Sequence, residues 1–203
     1  RLVLDDPAPV PAWQRPGDPR GDITLRHLLH MSSGLDHTEG PEEDGKTVFE
    51  ADTNRMLFMD GAQDTAAYAE ARPMEAKPGE KFEYSSATSI ILADIITRTL
   101  TESTDPLVRR DVTLRFIRGR LLEPLGMDGT YPEFDQNGTF LGGSFLHATA
   151  RDYATFGEFL RHNGAKKGAQ HLPVSWVRFM KKSSPNDPAY GGHIWLNKQR
   201  PEG

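Results

Sequence analysis

Pro78-Gly-Glu-Lys-Phe-Glu-Tyr-Ser-Ser-Ala-Thr-Ser89 sets a tyrosine between a Pro-Gly turn and a hydroxyl-rich helix start. Pro-Gly punctuates a chain, and the small polar residues that follow it precede an apolar run of helical spacing. Tyr84 therefore stands where a loop enters a helix, and two readings of it are open. It can be a half-buried aromatic plug, or a proton-transfer group at the mouth of a site. A free phenol titrates at about 10 and is a poor base at neutral pH. Cationic neighbours would favour the phenolate, and the positive potential of a helix N-terminus helps modestly. On the residues alone, the packing role is the simpler one.

Outward from that stretch, helices dominate. Ser86 to Leu100 carries Ile91, Leu92, Ile95, Ile96 and Leu100 at core-facing spacing, with Asp94 and Arg98 four apart on its polar side. Upstream, Asp22-Ile-Thr-Leu-Arg-His-Leu-Leu-His-Met-Ser-Ser-Gly-Leu35 predicts a helix. Thr24 is its N-cap, Ile23 staples onto Leu28, and Gly34 supplies a left-handed stop. Pro7, Pro9, Pro11, Pro16 and Pro19 make the first 22 residues an extended connector. Residues 36–60 are acidic and weakly periodic, which predicts a long excursion with short helical turns, and a helix over 64–71 ends before Pro73.

Downstream, Thr104-Asp-Pro106 caps a helix reaching about Glu123, and Pro124-Leu-Gly-Met127 ends it. Asn137-Gly138 signals a hairpin. Thr149-Ala-Arg-Asp152 resembles a capping box that opens a helix with Tyr153, Phe156 and Leu160 on one face, stopped by Asn163-Gly164. Pro173 starts a last helix, and His193-Ile-Trp-Leu-Asn197 predicts a strand.

Composition narrows the functions. With 203 residues, 36% hydrophobic and 26% charged, the chain is globular, and one domain is the default. A net charge of -5 and a pI near 5.8 argue against nucleic acid as a partner, because phosphate binding needs clustered Lys and Arg. No apolar run reaches the ~20 residues of a spanning helix. The absence of cysteine removes disulfides, thiolate catalysis and Cys-based zinc sites. Of the seven histidines, His27, His30 and His37 lie closest together, but a metal needs three or four converging ligands and no HExxH is present. Capping and loop hydrogen bonds suit these rings better. No GxSxG elbow, phosphate-binding glycine loop or SxxK tetrad occurs in the chain.

Several of these segments, taken together, resemble the serine beta-lactamase-related family: class C beta-lactamases, D,D-peptidases, family VIII esterases and 6-aminohexanoate-dimer hydrolases. ITLRHLLHMSSGL resembles its T-I/L-R-H-L-L helix and S-G-L turn. PGEKFEYSS resembles its P-G-x-x-F/Y-x-Y-S-N segment, and LLEPLGM its PLGM helix end. GGSFLHATARDYATFGEF resembles its GG…T-A-x-D-x-A-x-F-G segment, and AYGGHIWLN its Y-G-x-x-W strand. Each match is weak alone; five in the same order argue against chance.

The resemblance implies an α/β (α+β) fold of the beta-lactamase/transpeptidase type, with this segment mostly helical and most of the antiparallel sheet missing. It implies one incomplete domain over residues 1–203, with no second domain. It also implies a serine hydrolase of amide or ester bonds acting through an acyl-enzyme. Tyr84 falls at the family's catalytic tyrosine and takes the general-base role, beside a serine and lysine of an SxxK motif expected before residue 1. Ser86 falls where lactamases place a substrate-binding Asn; a hydroxyl is shorter and adapts less well, so efficient penicillin hydrolysis is not expected. Met31 replaces the commoner His, as on the aminohexanoate-hydrolase and esterase side. The K-T-G or H-x-G strand is expected after residue 203, and the segment alone is expected to be inactive. The partner implied is a small-molecule amide or ester, with no cofactor, metal, nucleic acid or membrane span. Two rivals stay open: a non-catalytic relative binding peptides or cell-wall fragments, and a helical interaction domain.

Overall fold

A computed structural model describes residues 2–40 and 47–198. Part of the predicted 36–60 excursion, residues 41–46, therefore lies outside the described residues. The proline-rich start runs through two 3-10 turns, Pro11–Trp13 and Pro19–Asp22, each opened by a proline whose missing N–H costs nothing there. It is a connector in shape but core in substance. Ala8, Val10 and Trp13 are buried, and the Trp13 indole donates to the Glu70 carbonyl at 2.8 Å.

Helix α1, Leu25–Leu29, begins at Thr24 with a reciprocal box: the Thr24 hydroxyl accepts from the His27 N–H, and His27 Nδ1 accepts from the Thr24 N–H, both at 3.2 Å. It stops earlier than the sequence predicts, because Met31 already takes a left-handed φ of 53°. Gly34, at φ 79°, serves a different need. There the backbone is pressed against residue 76, and a Cβ would lie 2.3 Å from the Ala76 carbonyl oxygen.

Helix α2 is Asp52–Phe58 and α3 is Thr65–Glu70. Helix α4, Ser86–Leu100, is capped by the Ser85 hydroxyl, which accepts the Thr88 N–H at 3.2 Å. Its Ile90, Ile91 and Ile95 meet Val10, Trp13, Ile23, Leu28 and Met56 in the larger core. Ile96, predicted to face the core, is instead 40% exposed. Helix α5, Pro106–Ile117, continues through a π-turn at Arg118–Leu122 into α6, Glu123–Leu125, and Gly126 ends the run at φ 70°.

The predicted Asn137-Gly138 turn closes on an isolated bridge between Phe134 and Phe140. It lies between β1, Tyr131–Pro132, and β2, Leu146–His147, which pair antiparallel with Tyr131 opposite His147. Helix α7, Ala150–Arg161, carries the predicted capping box between Thr149 and Asp152. Phe159 and Leu160 join Leu122, Leu125 and Met127 in a second core, whereas Tyr153 stands 58% exposed with its hydroxyl on the Leu146 carbonyl.

Strands β3, Ala165–Lys166, and β4, Ala169–Gln170, form a second hairpin that the sequence reading missed. Its turn residues Lys167 and Gly168 sit at φ 50° and 79°, the geometry a two-residue hairpin requires. Helix α8 spans Val174–Lys181. The predicted strand at 193–197 does not form. Only Trp195 makes a bridge, to Tyr190, and His193 turns back at φ 60° to donate its N–H to Leu29. The apolar run has strand propensity, but no neighbouring strand lies beside it among the described residues.

Between α3, α4 and α5 sits a buried ionic cluster. Asp94 Oδ1 takes a hydrogen bond from Arg109 Nη2 at 2.5 Å, and Oδ2 lies 2.6 Å from Arg98 Nε, off line for a hydrogen bond. Arg98 also reaches Glu70 at 3.1 Å. Burial dominates at Glu70 and pushes its carboxyl up to about 7 despite Arg98. A raised acid pKa means the folded state holds the proton more tightly than the unfolded chain, so stability falls as pH rises from 4.5 through 7. Glu70→Gln removes that dependence. Its unfolding free energy relative to wild type should rise by on the order of 3 kcal/mol between pH 4.5 and 8, read by urea titration at each pH. Parallel pH profiles for the two proteins would refute it.

Candidate active site

Four of the five family-like segments converge on Tyr84 and Ser86. The loop after α1 receives the tyrosine segment by backbone bonds: Gly79 N–H to the Ser32 carbonyl and Glu83 N–H to the Met31 carbonyl, both 2.8 Å. Gly143 lies against Ser86 so closely that a Cβ would sit 3.0 Å from the Ser86 carbonyl oxygen. The turn at 190–195 brings aromatic rings: Trp195 lies 5.4 Å and Tyr190 6.2 Å from the Tyr84 ring, and Phe82 lies 5.3 Å from Tyr190.

Tyr84 is 38% exposed, so its ring is held by aromatics without being sealed off. Burial pushes the phenol above its ordinary value, the Glu39 carboxylate adds to that, and a hydrogen bond with the Trp195 side chain works the other way. Lys81, three residues earlier, is drawn to Glu75 and Glu83, each at 2.6 Å. The field on the phenol within these residues thus opposes deprotonation.

Ser86 is buried at the first turn of α4 and bound to Glu39. Its hydroxyl donates to Glu39 Oε1 at 2.6 Å and its N–H donates to Oε2 at 2.8 Å. Thr53 donates to the same Oε2 at 3.1 Å, and His37 Nε2 lies 2.8 Å from the Thr53 hydroxyl. An ionised carboxylate only accepts, so the chain of donors runs from His37 Nε2–H through Thr53 to Glu39. Burial works against the Glu39 charge, yet donation from His37 and Ser86 holds this carboxyl below its ordinary value. Sequence reasoning did not find Glu39. It sits in an acidic, aperiodic stretch, and its partner Ser86 is 47 residues away.

A second pair also escaped the sequence. Ser89 Oγ lies 3.1 Å from His193 Nε2, and His193 Nδ1 is buried without a hydrogen-bond partner. Burial holds that imidazole down at about 4, too weak a base to activate a serine at neutral pH. The pair borders a cavity of about 400 Å³ walled by Leu25, Leu29, Leu92, Ile95 and Trp176, which does not include Tyr84. Two further histidines hold structure: His27 caps α1 and His30 stacks on Phe179 at 5.3 Å. Among the described residues, no three of His, Asp and Glu are grouped to hold a metal, and no helix is long and apolar enough to cross a membrane.

Solved structures place this architecture. A Bacillus anthracis protein provisionally assigned as a 6-aminohexanoate-dimer hydrolase superposes with a TM-score of 0.71 at 22% identity, over 98% of this chain and 53% of its own. A D-stereospecific amidohydrolase from Streptomyces gives 0.58 at 20%, over 95% of this chain and 63% of its own. The octameric penicillin-binding protein homologue from Pyrococcus abyssi gives 0.60 at 22%, over 95% and 47%. The fold is therefore beta-lactamase/transpeptidase-like, helix-rich here, with two small two-stranded sheets among the described residues. The family model Beta-lactamase matches residues 1–201, and the chain belongs to that family. It spans about half the length of the first of those structures. No curated relative matches the chain.

Proposed function

We propose that this chain is the helical part of a larger serine hydrolase, with Tyr84 as general base and the nucleophilic serine and its lysine outside the 203 residues. The observation that carries this is the position of Tyr84: a partly exposed phenol at the entrance to α4, where four family-like segments meet. The bond cleaved is an amide or ester; one of the solved relatives is named as an amidohydrolase and another as a 6-aminohexanoate-dimer hydrolase.

The electrostatics constrain the mechanism. A phenol raised by burial and by Glu39 becomes a base only when a cation is set against it, the role of the expected lysine. The phenolate then takes the serine proton as the serine oxygen bonds to the substrate carbonyl carbon. The proton passes to the leaving amine or alcohol, and water releases the acid from the acyl-enzyme. On this reading residues 1–203 are one incomplete domain. The raised phenol and the Ser86–Glu39 bonds also fit the alternative, a non-catalytic relative that binds peptides or cell-wall fragments.

One comparison separates the two. Residues 1–203 should neither turn over a p-nitrophenyl ester nor label with a fluorophosphonate, whereas the chain extended in both directions should do both. An extended chain that does neither would favour the binding relative, and Tyr84-dependent turnover by the short form would overturn the proposed division of the site.

A further inference from the structure

The proposed hydrolase needs its candidate base held still, and the inference drawn here rests on that reading. The backbone beside Tyr84 is pinned, with the Glu83 N–H donating to the Met31 carbonyl at 2.8 Å, but the tyrosine itself is 38% exposed. A tyrosine ring turns about two torsions, and the second is broad and soft. What restrains the phenol is the aromatic turn at 190–195. Trp195 lies 5.4 Å from the Tyr84 ring at a tilt of 31°, and Tyr190 meets it edge-on at 6.2 Å. Phe82, two residues before Tyr84, contacts both of those rings, 5.3 Å from Tyr190 and 6.1 Å from Trp195.

That turn is anchored on two helices. Tyr190 and Trp195 face each other in a bridge, with the Gly191 N–H on the Ile194 carbonyl at 2.8 Å. The Gly192 N–H donates to the Met180 carbonyl of α8 at 3.0 Å, and the His193 N–H to the Leu29 carbonyl of α1 at 2.6 Å. Gly191 passes so close to α8 that a Cβ there would run into the Met180 carbonyl oxygen. Tyr190 is 2% exposed and stands at 90° to Trp195, 4.9 Å away. The scaffold thus places the indole, and the indole faces the phenol. Trp195 is itself 48% exposed and belongs to neither hydrophobic core. We propose that Trp195 is a positioning residue, whose indole keeps the Tyr84 ring, and with it the phenol oxygen, in one place at the entrance to α4. Proton transfer needs the base within hydrogen-bond reach of its proton, and a misplacement of about 1 Å can cost about a hundredfold.

The test uses the chain extended in both directions, with Trp195→Ala and Trp195→Phe. Removing the indole should lower kcat for a p-nitrophenyl ester about ten- to a hundredfold with KM little changed, because the loss falls on the transition state. Trp195→Phe, which keeps a ring against Tyr84 but no N–H, should return most of that loss. A raised KM at unchanged kcat would make the indole a substrate contact and sink the proposal, as would a phenylalanine variant no better than alanine. Near-ultraviolet circular dichroism gives a readout that needs no turnover. The Tyr84 contribution, taken as the difference from Tyr84→Phe, should shrink when residue 195 is alanine, since a ring free to turn loses its fixed asymmetric setting. An undiminished contribution would mean that Trp195 does not hold the ring, whatever the activity. A diminished one in a chain that turns over nothing sinks the hydrolase reading alone.

Discussion

On the proposed function, Tyr84→Phe in a chain extended in both directions should lower kcat/KM for ester hydrolysis by roughly a hundred- to ten-thousand-fold, the range general-base groups supply. The substitution removes one oxygen and keeps the ring that lies 5.4 Å from Trp195 and 6.2 Å from Tyr190, so folding should be unaffected. The proton-transfer role makes a second demand. In residues 1–203 alone, burial and Glu39 hold the phenol above 10, and its phenolate absorbance should emerge only at strongly alkaline pH. In the parent, the expected lysine should bring that transition down, and Tyr84→Phe should erase it from the difference spectrum. A parent in which the phenylalanine variant retains most of its turnover would reduce Tyr84 to an aromatic plug.

The second large effect is structural. Asp94→Ala should cost about 3–5 kcal/mol, because it leaves two guanidinium groups without the buried carboxylate between them. Asp94 is 1% exposed and Arg109 7% exposed, so water cannot readily replace the partner Arg109 loses, whereas Arg98 is partly exposed and keeps Glu70. For a chain of this size, the thermal midpoint should drop by about ten degrees or more. Arg109 also donates to the Asn137 carbonyl at 2.9 Å and the Thr139 hydroxyl at 3.2 Å, tying α5 to the turn between β1 and β2. The double variant Asp94→Ala/Arg109→Leu should recover part of the loss, since an unpaired buried charge is worse than an apolar replacement. A double variant no better than Asp94→Ala would mean that the hydrogen bonds of Arg109, and not its charge, carry the stability.

What the sequence disclosed was local chemistry. Thr24, Asp105 and Thr149 are capping residues whose partners lie within three positions, so their helices could be read directly. Tyr84 and Ser86 were singled out by resemblance, through residues adjacent to them in the chain, and their roles are part of the proposal. The Glu39 clamp, the Ser89–His193 pair and the Asp94–Arg109 bond join residues 47, 104 and 15 positions apart, and no short-range pattern encodes such meetings. Asp94 illustrates the limit. Its spacing from Arg98 marked a polar helix face, yet α3 and α5 cover the Asp94 carboxylate and leave only Arg98 partly exposed. The strand misread at 193–197 has the opposite cause: the propensity was present, but the tertiary partner was not.

The proline-rich opening bears on how this protein can be shortened. By composition it invites trimming as a dispensable leader. Yet it threads an indole and two small aliphatic side chains into the interior, and Arg20 at its far end donates to the same Glu70 carbonyl that receives the Trp13 indole. Cutting it away would unplug the hydrophobic centre, so any minimal version of this fold has to keep its least regular stretch.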